Sequence, residues 1–355
     1  MTKKAKNPLG IVAYGAKIPS FKMSTSAIAE GRGKEPGAAR SLGVLAKTVP
    51  QLDEDSITLA TAAAEQALER FELVAGKKEK IACLFIGSES HPYAVKPSGA
   101  TLQMTLGLSN TMAMADLQFA CKAGTQAVQI AAQYIASTQA DYALAIGADT
   151  AQAKPGDALE YTAAAGAAAF ILGQEKVLAK LLATVSVASD TPDFWRKPGE
   201  AYPQHAGRFT GEPAYFKHVM MATKLLLKKE KLNPEQIDFC VFHTPNAKFP
   251  EQAAKRLGFS KEQLAESLIV KEIGNTYAAA SLLALVAVLD QAKSGQKILL
   301  TSYGSGSGAD SFLFETTTEL VKQRKSWHRF LSQEISNLKE LDFNQFQALA
   351  SQRQH

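Results

Sequence analysis

The chain repeats itself. Sliding the 355-residue sequence by 157 positions lays IACLFIGSE (81–89) on DFCVFHTPN (238–246), so Cys83 meets Cys240 and Phe85 meets Phe242. The same offset sets Cys121 on Ala278, each opening a helix-like run of small residues, and Gly147 of ALAIGAD on Gly304 of LLTSYGSG. One offset that preserves two strand–loop units and the helix between them constrains the fold strongly. It predicts two homologous halves, 1–173 and 174–317, packed about a pseudo-twofold axis, and a polar tail, 318–355.

The alternation inside each half names the class. KIACLFIGS, DYALAIGA, AAAFILG, DFCVFHT and KILLTSYG are short and apolar nearly throughout, which is how strands buried on both faces of a sheet read. Segments of helical length such as SITLATAAAEQALERF and SLLALVAVLDQAK separate them, so a layered α/β fold is expected. Net charge is +5 with the lysines scattered, compatible with an anionic ligand but not with a nucleic-acid partner. Three cysteines without metal-ligand spacing predict neither a disulfide framework nor a metal site, and point to a reducing, cytoplasmic setting. The basic start MTKKAKNPLG leads into a stretch too broken for a signal sequence. The longest apolar runs fall far short of the roughly 20 residues that span a bilayer, so no membrane association is expected.

The repeat also acts as a control on each candidate residue. Cys83 and Cys240 occupy equivalent mid-strand positions and read as buried filler. Cys121 has no cysteine counterpart. It precedes the helix KAGTQAVQIAAQYIA, where unpaired backbone N–H groups and the helix dipole are expected to favour thiolate. His243 ends the strand DFCVF where its repeat mate is Ile86, whereas the other histidines, His218 among them, lie in polar surroundings. Glu89 follows the equivalent strand of the first half, and Asn275 precedes the second helix as Cys121 precedes the first. Under a pseudo-twofold packing, Cys121, Glu89, His243 and Asn275 converge, giving a nucleophile, a carboxylate base and polarising groups suited to covalent acyl transfer. YGSGSGAD (303–310) runs into the strand-like SFLFETTT rather than a helix, which disfavours a phosphate loop. Its glycines suit an oxyanion hole shared with the Cys121 amide.

Six motifs in order, FACKAGTQAVQ, IGADTAQAKPGDALEYTAAAGAAAFILG, GRFTGEPAYFKHV, FHTPNAKFP, IGNTYAAASLL and SYGSGSGADSF, resemble hydroxymethylglutaryl-CoA synthases of the short archaeal and bacterial type from about residue 8 to 317. The resemblance implies a thiolase fold with five layers, αβαβα. It implies condensation of acetyl-CoA with acetoacetyl-CoA and water to 3-hydroxy-3-methylglutaryl-CoA and CoA, an early mevalonate-pathway step, with coenzyme A thioesters as substrates and no other cofactor. By motif position, Cys121 carries the acetyl group, Glu89 removes a methyl proton, and His243 binds and polarises the acetoacetyl carbonyl. Asn275 helps hold that substrate, the Ser305 backbone meets the thioester oxygen, Lys248 contacts CoA, and Thr162 and Thr210 line the substrate. A homodimer or dimer of dimers is implied, and so is a complex with an acetoacetyl-CoA thiolase and an OB-fold bridging protein. The chain departs from the family at Ala247, where glycine is common, in AAAS after GNTY, and most in FKMSTSAIAEGRGKEPGAARSLG.

Other readings stay open. A biosynthetic thiolase needs a second cysteine near the late glycine-rich loop, and SYGSGSG has none. A ketoacyl synthase III-like enzyme shares Cys, His and Asn, but decarboxylative condensation needs no base at Glu89. A polyketide-branching homologue and a non-catalytic acyl-CoA-binding scaffold are the remaining alternatives. The tail, with Trp327, Phe330, Leu331, Phe343 and Phe346 among polar residues, reads as one or two amphipathic helices that pack on the body or dock a partner.

Overall fold

The computed structural model describes residues 8–37, 41–138, 140–151 and 153–352. Most of the basic start, 1–7, and part of the divergent N-terminal segment, 38–40, lie outside the described residues, as does the end of the tail, 353–355. Nine strands form one hydrogen-bonded sheet. From one edge they run Phe239–Phe242, Lys297–Thr301, Gly308–Thr316, Ala179–Ala188, Gly10–Lys17, Ala165–Gly173, Tyr142–Thr150, Ile81–Gly87 and Ala113–Leu117. The ladder is thinnest in its middle, where only Gly10–Lys180 and Ile11–Ala179 join Gly10–Lys17 to Ala179–Ala188.

Three apolar cores show how the layers stack. The central one packs the helices Ala123–Thr138 and Ala280–Gln291 between sheet faces of both halves, with Phe85, Ala145 and Phe170 on one side and Val241, Leu300 and Phe312 on the other. A second core sets helix Ser56–Glu72 behind the first half through Ala60, Ala64, Phe71 and Ile171. A third sets helices Lys217–Glu230 and Lys248–Leu257 behind the second half through Val219, Leu226, Cys240 and Phe242. The order is helix, sheet, helix pair, sheet, helix. Each large buried side chain contributes about 1.5–3 kcal/mol to holding it. Cys83 and Cys240 are both fully buried in these cores.

The duplication is visible, with slips. The central helices begin at Ala123 and Ala280, 157 positions apart as the sequence predicts. Cys83, however, pairs with Ala143 while Cys240 pairs with Leu299, an offset of 156 between the partners. Gly147 therefore corresponds to Tyr303 rather than Gly304, and an irregularity between Ile81 and Cys83 marks where the register shifts. The last strands, Ala165–Gly173 and Gly308–Thr316, stand only 143 positions apart, because the segment between the final two strands is longer in the first half.

The tail packs on the body. Trp327 meets Tyr14 edge-on at 5.2 Å, and the Arg70 guanidinium lies 4.1 Å from the Trp327 ring. Lys339–Glu340 adds a short parallel strand to Phe21–Ser24, and Phe346 is buried with Met23 and Ile28. No helix among the described residues is long and apolar enough to cross a membrane.

Candidate active site

Cys121 lies in the tight turn that links strand Ala113–Leu117 to helix Ala123–Thr138, after Ala120 in the left-handed region at φ +43°. The approach of the other half to this turn depends on missing side chains. A Cβ on Gly124 would stand 2.3 Å from the Ala278 carbonyl oxygen, and one on Gly304 would stand 2.5 Å from that of Phe119. The start of the second central helix and the glycine–serine loop are thereby pressed onto the Cys121 turn.

Cys121 is buried with Ala163 and Tyr277 around it, and its thiol lies beside the Glu89 carboxyl. The expectation of a thiolate fails. Burial first, then the negative charge of Glu89, raises the thiol well above its ordinary range, and the helix starts two residues too late to compensate. Glu89 responds to the same environment: burial and the nearby Asp149 push its carboxyl up to about 8. Its Oε1 has no hydrogen-bond partner among the described residues. The carboxyl borders a cavity of about 600 Å³ that Ala120, Phe194, Arg196 and Tyr277 also line.

His243 is buried at the end of Phe239–Phe242, with its amide donating to the Thr301 carbonyl at 3.0 Å. Its carbonyl accepts the Tyr215 hydroxyl at 2.7 Å. Burial lowers the imidazole to about 3, so the ring is neutral at neutral pH. Its Nδ1 is buried without a partner among the described residues. Two unpartnered polar atoms, on Glu89 and His243, each carry a desolvation cost of about 1–3 kcal/mol, a cost that substrate contacts can offset.

Asn275 and Thr162 form one unit. The Asn275 amide donates to the Thr162 carbonyl at 2.7 Å, and its carbonyl accepts from Ala164 at 2.9 Å. Oδ1 of Asn275 accepts from the Tyr277 amide at 2.9 Å, leaving its side-chain NH₂ without a partner among the described residues. In the loop after Lys297–Thr301, the amides of Gly304, Gly306, Ser307 and Gly308 all donate within the protein. The Ser305 amide makes no hydrogen bond among the described residues. Lys248 is exposed at the start of its helix, and Thr210 is half-buried at the start of the π-helical turn Thr210–Phe216. Neither side chain touches Cys121, Glu89 or His243 through any described hydrogen bond.

Two charged groups at the centre escaped the sequence reading. Asp149, fully buried, accepts at Oδ1 from Ser88 Oγ (2.8 Å), the Glu89 amide (2.8 Å), the Ser90 amide (3.0 Å) and Ser90 Oγ (2.7 Å). Its Oδ2 accepts from the Ala278 amide at 2.7 Å, so one carboxylate ties the Glu89 loop to the other half. Lys122, next to Cys121 and buried, donates to the Asp310 carboxylate at 2.9 Å and lies 4.1 Å from the Phe119 ring centre. The signal available was an aspartate inside each apolar strand, in ALAIGADT and GADSFLF. Among the described residues no group of three or more His, Cys, Asp or Glu side chains is placed to hold a metal ion.

Residues 115–190 match the family model for 3-oxoacyl-[acyl-carrier-protein] synthase III, and residues 227–316 match the model for its C-terminal part. A curated hydroxymethylglutaryl-CoA synthase from Archaeoglobus fulgidus is 49% identical over 325 residues, covering 90% of this chain and 94% of its own. The chain belongs to the hydroxymethylglutaryl-CoA synthase family. The corresponding synthase of Methanocaldococcus jannaschii is 49% identical over 314 residues, 88% of this chain and 90% of its own. Among solved structures, an HMG-CoA synthase complexed with CoA superposes with a TM-score of 0.87 at 22% identity, over 96% of this chain and 90% of that one. A synthase solved with 3-hydroxy-3-methylglutaryl coenzyme A gives 0.87 at 24% identity, over 97% and 92%. The fold is the thiolase fold, and hydroxymethylglutaryl-CoA synthases are acyl-transferring condensing enzymes of that superfamily.

Proposed function

We propose that this synthase condenses acetyl-CoA with acetoacetyl-CoA through an acetyl thioester on Cys121. The contact between the Cys121 thiol and the Glu89 carboxyl carries this reading, since it sets a carboxyl beside the sulfur that would bear the acetyl group. In the first step Sγ attacks the acetyl carbonyl, CoA departs, and the thiol proton ends on the CoA sulfur. Ionised Glu89 then takes a proton from the acetyl methyl, and the enolate oxygen is met by the free Ser305 amide. The new carbanion bonds to C3 of acetoacetyl-CoA while His243 donates a hydrogen bond, then a proton, to the oxygen formed there, and the proton that Glu89 took from the methyl group passes back to His243, restoring both groups. A neutral imidazole suits this role, as it polarises a carbonyl without a buried charge. Water finally cleaves the thioester, giving its hydroxyl to the acyl carbon and a proton to Cys121. The Asn275 NH₂ steadies the second substrate, Thr162 fixes Asn275, and Lys248 and Thr210 serve the CoA arm from outside the catalytic contacts.

The test is to incubate the purified protein with both thioesters and follow loss of the acetoacetyl enolate absorbance, release of free thiol, and a mass adduct. Turnover and an acetyl adduct are expected, and both vanish in Cys121→Ala. Turnover that survives Cys121→Ala refutes the reading. We also propose a cytoplasmic homodimer through the open sheet edge Ala113–Leu117, whose five residues are only half-buried; a monomer in sedimentation refutes the dimer. A complex with an acetoacetyl-CoA thiolase and an OB-fold protein belongs to the same proposal.

A further inference from the structure

His218 is a second fully buried histidine, and no step above uses it. It stands in the first turn of helix Lys217–Glu230, behind the glycine–serine loop. Nδ1 lies 2.6 Å from the Ala214 carbonyl oxygen, which can only accept, so Nδ1 carries the hydrogen. In the neutral ring Nε2 is then the acceptor, and Ser189 Oγ donates to it at 2.6 Å. Ser307 Oγ sits 3.2 Å from both ring nitrogens. Ser189 and Ser307 are also joined through their backbones, each amide donating to the other's carbonyl at 3.0 and 2.9 Å.

That cluster holds one end of Gly304–Gly308. The loop contains three glycines, so its own sequence defines its path weakly. Its ties are external: Gly306 donates to Asp193 Oδ1 at 2.8 Å, Tyr303 donates its hydroxyl to Asp193 Oδ2 at 2.6 Å, and Ser189, bonded to His218, fixes Ser307 through their paired backbone hydrogen bonds. The amide left over is that of Ser305. A buried ring with two polar atoms is a costly way to fill a helix position that an apolar side chain would fill as well. What it adds is a rigid link between three chain segments around one loop.

We propose that His218 is a positioning residue, holding Ser307 and Ser189 so that the Ser305 amide meets the acyl oxygen on Cys121. The inference rests on the reading that Cys121 carries an acyl group. Loss of an oxyanion donor costs about 10²–10³ in rate, and a donor displaced but present costs less. His218→Ala is therefore expected to slow acetyl-enzyme formation about 10–100-fold, with KM for acetoacetyl-CoA changed less than twofold. The infrared carbonyl band of the [1-¹³C]acetyl enzyme is expected to move towards that of a free thioester in water-free solvent. His218→Asn, which keeps a donor near Nδ1, recovers part of both. Should His218→Ala not fold, as judged by thermal unfolding, Ser189→Ala and Ser307→Ala carry the same two readouts. Wild-type rate and band position in a folded His218→Ala overturn the proposal. So does a slowed variant with an unmoved band, which marks a merely structural role. Absence of an acetyl adduct in the wild type overturns the Cys121 reading itself, and this proposal with it.

Discussion

The two halves share a plan and differ where the chemistry is. In the first half, strand Ala113–Leu117 pairs in parallel with Ile81–Gly87 and delivers the chain to Cys121. At the matching place the second half has no strand: 113–117 shifted by 157 falls on the short helix Val270–Ile273, and the chain arrives at Asn275 and Ala278 instead. The second half replaces Ile86 with His243, and the first replaces Asn246 with Glu89. Each half thus gives up part of the common pattern, one becoming the carrier of sulfur and carboxylate, the other the donor side. The two halves offer similar frames, and the candidate site lies where they differ.

Moving the sulfur across the pseudo-twofold axis tests that asymmetry most severely. Cys121→Ala combined with Ala278→Cys keeps the sulfur count and a helix start, yet acetylation measured by intact mass is expected to be absent, because the amide of position 278 is already held by Asp149 Oδ2 and is not free to meet an acyl oxygen. Glu89→Gln is expected to acetylate yet lose about 10²–10⁴ in condensation, the usual range for a general base. In the parent enzyme the condensation step is expected to rise with pH and level off above about 8, since the carboxyl raised to about 8 must lose its proton to act. Single-turnover rates across pH 6–9 check both, and a flat profile contradicts the role. The joint between the halves comes next. Lys122→Met leaves Asp310 buried without its cation and is expected to cost about 3–5 kcal/mol in denaturant unfolding. The smallest effect belongs to the pair that the repeat equates: Cys83→Ala and Cys240→Ala should each cost about 1–2 kcal/mol and leave acetylation intact. A large activity loss in either would break the equivalence.

Much of this was legible in the sequence, for reasons that can be named. Buried strands and small-residue helices read from their periodicity, and the odd cysteine read from its missing repeat mate. The thiolate expectation failed because a helix start is a local feature, whereas the burial that raises the thiol, and after it the charge of Glu89, come from parts of the chain that only the fold brings together. Assigning Gly147 to Gly304 failed because a one-residue slip in pairing leaves no mark on composition. His218 looked polar among its neighbours, yet the fold encloses it completely, since Ser189 and Ser307 come to it from far along the chain. Asp149 and Asp310 are charges within apolar strands that the sequence reading passed over, and their partners, up to 188 positions away, are supplied only by the fold.

The strand Gly10–Lys17 sits in the middle of the sheet, yet it is synthesised well before either of its neighbours. Its partner in the register, Ala165–Gly173, follows more than 150 residues later, and Ala179–Ala188 later still. At about 5–20 residues per second, a ribosome leaves this apolar strand waiting for roughly ten to thirty seconds with both edges open. The seam that unites the two finished halves is therefore also the part of the nascent chain most exposed to wrong pairing, and the most natural place for a chaperone to hold on.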